Sequence, residues 1–171
     1  MNKNKIRQEV ILAVKNIPDK KERSRSICEK FLSLPEVTTA SVVALFMSTE
    51  TEPDTSEIIA ELLGDGKKVF VPRVRGDEMD FVEIGEGTVF SVGAYGIKEP
   101  VGDAYNGDFD VIAVPLVAFN DSGDRLGHGK GYYDRFLQKH SAYTVGLAFK
   151  EQKRNVPVDP WDVPLDLVLY R

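Results

Sequence analysis

Between Asn120 and Arg135 the chain reads NDSGDRLGHGKGYYDR, and three glycines there, Gly127, Gly129 and Gly131, alternate with His128 and Lys130. Glycines let a backbone come close to a ligand and leave its N–H groups accessible. Arg125 and Lys130 add full positive charges, and a helix following such a loop adds the positive end of its dipole. That combination suits a polyphosphate. The plainer alternative is a connection that needs glycine only for its turns. For an isolated glycine-rich loop the two readings weigh evenly. The segment is not a P-loop, because Lys130 is followed by Gly131 and not by Ser or Thr. Nor is it the dinucleotide-binding fingerprint, which directly follows the first strand of its sheet.

Two aspartates are candidate magnesium ligands. Asp134 stands at the start of the helix after the loop, where a carboxylate also complements the helix dipole. Asp162 stands in Trp161-Asp162-Val163-Pro164, where an ordinary turn residue is the default. Magnesium bound with a nucleotide needs only one or two protein carboxylates, phosphate oxygens and water completing its shell. Spacing alone does not bring these two together. The basic residues Lys3, Lys5 and Arg7 read first as a solvated helix face. Of the two histidines, His140 fits packing or capping at a helix end, and no Ser-His-Asp arrangement is present. The single cysteine, Cys28, excludes an intramolecular disulfide and reads as a small half-buried hydrophobe.

These residues need a scaffold, and the hydrophobic pattern supplies one. A first helix is expected from about Asn2 to Asn16, with Ile6, Val10, Ala13 and Val14 on one stripe. A second starts near Asp19, where Asp19 and Glu22 have capping-box spacing, and ends before Pro35. Ser41–Met47 is a continuous β-branched and apolar run, as in a strand covered on both faces. Asp54 and Glu57 suggest another capping box, opening a helix through Leu63 that Gly64 and Gly66 stop. Lys68–Val74 is the next strand, completing a strand-helix-strand unit with a right-handed crossover. Met79–Ile84 reads as a short strand and Tyr95–Pro100 as loop. Asp110–Pro115 is a buried strand, Tyr132–His140 a helix, and Ala142–Phe149 and Leu167–Tyr170 two further strands. The expected fold is α/β, a three-layer arrangement with a mostly parallel central sheet in a single domain over residues 1–171.

At 171 residues and a net charge of −5 the chain fits one compact soluble domain, and the mild negative charge argues against a general nucleic-acid binder. The polar, basic opening Met1–Arg7 lacks the apolar stretch of a secretory signal, and no apolar run is long enough to span a bilayer. A cytoplasmic protein with no membrane partner is expected.

Leu126–Arg135 (LGHGKGYYDR) resembles the signature of the 5-formyltetrahydrofolate cyclo-ligases, also called methenyltetrahydrofolate synthetases. Other segments are similar to the family in the same order along nearly the whole chain. They are Lys3–Arg7, Phe46-Met47-Ser48 with Glu52 and Asp54, Lys67–Arg73, Gly96–Pro100 and Asp162–Asp166. The glycine-tyrosine loop is highly specific; the others are individually weak. The resemblance implies an enzyme that uses ATP to convert 5-formyltetrahydrofolate to 5,10-methenyltetrahydrofolate, through a phosphorylated formyl group, with magnesium. It implies ATP contacts at Lys3, Asn4, Lys5, Ile6 and Arg7 and along Arg125, Leu126, Gly127, His128, Gly129, Lys130, Gly131, Tyr132 and Tyr133. Met47 and Glu52 are the implied folate contacts, with His128–Tyr132 shared between the two ligands. Asp134 and Asp162 are the implied metal ligands, and Lys130, Arg125 and Tyr132 the expected catalytic side chains. His128 stands where many members carry arginine or an aromatic residue, and Trp161 where histidine is frequent. Two other readings stay open: an ATP-dependent relative acting on another N-formyl or carboxylate substrate, and a nucleotide-binding regulatory module without turnover. Lys130, Asp134 and Asp162 together favour an active enzyme.

Overall fold

The continuous apolar runs of this chain become the interior of one six-stranded sheet, in the order β10-β9-β6-β1-β2-β3. The computed structural model describes residues 2–93 and 96–171. The strands are β1 (Val42–Ala44), β2 (Lys68–Arg75), β3 (Glu78–Ile84), β6 (Val111–Val114), β9 (Tyr143–Ala148) and β10 (Leu167–Tyr170). All neighbours run parallel except β2 and β3, which form an antiparallel hairpin.

Strand side chains alternate between the two faces, and the core divides accordingly. Val43, Val69, Val71, Val111, Ala113, Val145 and Leu147 belong to one cluster. Helices α1 (Lys3–Lys15), α2 (Lys20–Ser33) and α4 (Ser56–Gly64) cover that face through Ile6, Val10, Val14, Ile27, Phe31, Ile58 and Leu62. Ala44, Phe70, Phe81, Ile112, Val114 and Ala148 form the second cluster, covered by α5 (Tyr132–Lys139) with Phe109. Both faces are buried, so the strands read as unbroken apolar runs, and the expected α/β arrangement is present.

Several local expectations need correction. Of Ser41–Met47 only Val42–Ala44 is strand, although the Leu45 amide still donates to the Phe70 carbonyl of β2 at 2.9 Å. Neither capping box forms. The Asp19 carboxylate is taken by Arg23, 2.9 Å from its Nε, and Asp54 Oδ1 accepts from the Ser56 amide at 2.9 Å, so neither caps its helix in the expected way. Gly64 lies inside α4 and the stop comes after it. Of the stretch read as loop, Tyr95 lies outside the described residues, whereas Lys98–Pro100 forms strand β5 paired with β4 (Phe90–Val92). The pattern also gives no sign of the short helix α3 (Pro35–Thr38) or of the two-residue pair β7 (Ala118–Phe119) and β8 (Arg125–Leu126).

Candidate active site

The glycine-rich loop joins β8 to α5, so its residues lie between a buried strand pair and a helix N-terminus. They form one wall of a cleft of about 680 Å³. Arg125, Leu126, Gly127, His128, Gly129, Lys130, Gly131, Tyr132 and Tyr133 all line it, as do Lys3, Arg7, Met47, Glu52, Asp134 and Asp162. Residues far apart in sequence thus share one cavity near the strand ends, where ligands of open α/β sheets tend to bind.

The loop is held from two sides. Arg7 reaches from α1 and donates from Nε to the Gly127 carbonyl at 2.8 Å. Gly131, at φ +70°, is the N-cap of α5, a left-handed conformation that glycine adopts readily. Arg125 lies almost wholly buried beneath the loop. Its Nη1 donates to the Pro115 carbonyl at 2.9 Å, and its Nη2 is 3.7 Å from Asp134 Oδ2. Burial pulls the Arg125 pKa down, opposed by Asp134, then Tyr133 and Asp162. Arg125 Nε and the Tyr133 hydroxyl are buried without a hydrogen-bond partner among the described residues.

At the end of β1 the chain passes through Phe46 and Met47 into a turn built around Glu52. Thr49 donates to Glu52 Oε1 from its amide at 2.8 Å and from its hydroxyl at 3.0 Å. Thr55 closes the turn, its hydroxyl donating to the Phe46 carbonyl at 2.6 Å. Glu52 is therefore a buried carboxyl and not a solvated loop residue. Burial pushes its pKa up, against the lowering effect of the two Thr49 bonds. Its Oε2 is 3.6 Å from His128 Nε2. The His128 side chain is 53% exposed, and partial desolvation against the cleft wall, then the charges of Arg125 and Arg7, push its pKa down, so both shifts favour the neutral forms. Met47 both packs against the core and lines the cleft.

Asp134 Oδ1 accepts from the Val163 amide at 3.3 Å, which links the first turn of α5 to the segment carrying Asp162. Asp162 accepts at Oδ2 from the Asp159 amide at 2.9 Å. Both carboxylates line the cleft, and hard oxygen donors of this kind fit a magnesium ion that takes its other ligands from phosphate and water. Among the described residues no cluster of three or more His, Cys, Asp or Glu side chains is arranged to hold a metal without such help.

Three expected nucleotide contacts are not brought to the cleft wall. Ile6 is a core residue of α1, Lys5 is exposed, and exposed Asn4 accepts a hydrogen bond from Arg7 at 2.7 Å. A basic segment wound into a helix presents only some of its residues to one side, here Lys3 and Arg7. The site also contains residues that the sequence reading does not assign. Val74 and Met79 come from the β2–β3 hairpin, and Glu99 from β5. Asp159 pairs with Lys3. No local pattern marks these positions, because strand pairing and the Lys3 contact place them there.

The model of the 5-formyltetrahydrofolate cyclo-ligase family matches residues 1–171. The Escherichia coli K12 5-formyltetrahydrofolate cyclo-ligase is 33% identical over 159 residues, covering 86% of this chain and 87% of that protein. The mouse enzyme of the same name is 32% identical over 166 residues, covering 86% and 82%. The NMR structure of Aquifex aeolicus 5,10-methenyltetrahydrofolate synthetase superposes with a TM-score of 0.88 at 35% identity, covering 99% of this chain and 90% of that one. With the family match running the whole length and the fold shared, this chain belongs to the 5-formyltetrahydrofolate cyclo-ligase family.

Proposed function

We propose that this protein uses ATP to convert 5-formyltetrahydrofolate to 5,10-methenyltetrahydrofolate, releasing ADP and phosphate. The observation that carries the reading is that the glycine-rich loop, Lys3, Arg7, Met47 and Glu52 all line one cleft. A phosphoryl transfer between two anionic reactants needs them side by side, and positioning supplies much of the catalysis.

In this reading the nucleotide phosphates lie on the loop Arg125–Tyr133, with Lys130, Lys3 and Arg7 opposing their charge. Met47 packs against the pterin ring and Glu52 accepts from its N–H groups. The formyl oxygen attacks the terminal phosphorus, ADP leaves, and the formyl carbon now carries a phosphate leaving group. The neighbouring folate nitrogen then attacks that carbon, closing the five-membered ring as it gives up its proton to solvent, and departure of phosphate leaves the C=N bond of the methenyl product. Lys130 and Arg125 stabilise negative charge as it moves during transfer, an effect that is strongest in a cavity shielded from water. Tyr132 stands at the mouth of α5, with its hydroxyl donating to the Gly76 carbonyl at 3.1 Å, and holds the loop against the β2–β3 turn. Asp134 and Asp162 would hold magnesium, which supplies further neutralisation of phosphate charge when bound. We assign the protein to the cytoplasm, where ATP and reduced folate are both available. Among the described residues no helix is long and apolar enough to cross a membrane.

Purified protein with ATP, magnesium and 5-formyltetrahydrofolate should develop the near-ultraviolet absorbance of the methenyl product. No change at high enzyme concentration, beside an active family member, would overturn the assignment. ATP hydrolysis that is indifferent to the folate would point to another substrate.

A further inference from the structure

Trp161 is the only tryptophan of the chain, and it is 61% exposed on the wall of the cleft. A single exposed aromatic residue is unremarkable on an open surface. This one sits in a cavity, on a turn that is pinned at several points. Gln138 of α5 donates from Nε2 to the Trp161 carbonyl at 2.7 Å. Within the turn, the Asp162 amide donates to the Asp159 carbonyl at 3.0 Å, and the Asp159 amide returns a bond to Asp162 Oδ2 at 2.9 Å. The Asp159 carboxylate pairs with Lys3 at the start of α1. The indole is therefore borne by a turn fixed against α1 and α5.

Its place in the sheet distinguishes it from the other apolar surface of the cleft. The turn leads into β10 at one edge, whereas Val74 and Met79 lie on β2 and β3 at the opposite edge. The glycine-rich loop lies between the two. A nucleotide with its phosphates on that loop must project its base toward one flank. The flank with Met47 and Glu52 suits the pterin, which leaves the Trp161 side for the base. The other aromatic residues of the loop are less available. Arg135 lies over the Tyr132 ring at 5.3 Å, and Arg125 over the Tyr133 ring at 5.6 Å.

We propose that Trp161 is the platform on which the nucleotide base stacks, which makes it a nucleotide-binding residue. The inference rests on the ATP-dependent reading above. Base–aromatic stacking contributes enough that removing the ring weakens binding by roughly tenfold. It also tolerates different bases, since each presents a π-face.

The lone tryptophan is its own reporter. Tryptophan emission of the intact protein should fall on titration with ATP and stay level with inorganic tripolyphosphate. By calorimetry, Trp161→Ala should bind ATP on the order of tenfold more weakly with tripolyphosphate affinity unchanged, and Trp161→Phe should recover most of the loss. The inference is overturned if ATP binds with no change in emission and equal affinity in Trp161→Ala. An equal emission response to tripolyphosphate overturns it too. So does a response to p-aminobenzoylglutamate and not to ATP, which places the indole on the folate side. If calorimetry finds no ATP binding at all, the proposed function itself fails, and the inference with it.

Discussion

Glu52 shows how a side chain suited to binding can be costly to the fold. Its pKa is raised by burial, and a raised acid contributes stability that is fully present below its unfolded value, near 4.5, and lost as pH rises through the folded value. Glu52→Gln keeps an acceptor for Thr49 and removes the charge. Its melting temperature should therefore gain on the parent's as pH rises from about 4 to about 8; a gap that does not widen would mean that the carboxyl is solvated. The same substitution should raise the KM for reduced folate on the order of tenfold, because the amide turns one accepting oxygen into an N–H donor facing the ring's own donors, with the KM for ATP little changed. A selective effect on ATP would put Glu52 in the wrong half of the cleft. Lys130 lies at the other extreme, exposed on the loop. Lys130→Ala should leave the melting temperature within about a degree or two, as surface substitutions do. Its turnover should fall by roughly 100-fold, as when a transition-state donor is removed; equal steady-state rates would refute the role.

At the level of elements, the glycine-rich segment contains two different devices. Gly131, at φ +70°, begins α5, and a Cβ there would meet only the tip of Arg135, at 2.8 Å. That side chain can move aside, so Gly131→Ala should cost roughly 1–2 kcal/mol of backbone strain and disturb nucleotide binding. Gly123, at φ +82°, lies against the approach to β10, and a Cβ would come within 2.4 Å of the Leu165 carbonyl oxygen. A backbone atom yields far less. Gly123→Ala should therefore lower the melting temperature more than Gly131→Ala, while the protein that does fold keeps its KM for ATP. The reverse order would show that the two segments are not pinned as described. The sequence makes the glycines visible but not this difference, which depends on a chain segment 42 positions away (165 − 123). Helix positions and strand runs are similarly legible from periodicity. The capping boxes at Asp19 and Asp54 are not, because arginine and a nearby amide compete for the same carboxylates.

Across the whole molecule, the sheet brings together what the sequence keeps apart. Asp134 lies in the first turn of α5 and Asp162 precedes β10, yet both line one cavity. Asp134→Asn and Asp162→Asn should each raise, by roughly tenfold or more, the magnesium concentration for half-maximal rate, since the amide keeps an oxygen but loses the charge a hard cation prefers. The double variant should be impaired less than additively, as expected for one shared site. A fall in melting temperature with an unchanged magnesium requirement would leave these residues only dipole and turn roles. The α/β class and the specific loop are readable from the chain because they rest on local pattern. The wall formed by Val74, Met79, Glu99 and Asp159 is not, since pairing between distant segments creates it. The strand order also bears on how the chain reaches this state. β1 meets β2 across one short helical crossover, but its other neighbour, β6, begins 67 residues after β1 ends (111 − 44). Closing the longer loop costs more entropy before any contact rewards it. The segment from β1 to β3 should therefore assemble first, and the β6-β9-β10 side should dock onto it later. Val69→Ala would then mainly slow refolding, whereas Val145→Ala would mainly speed unfolding, and stopped-flow kinetics of the two variants would show the order.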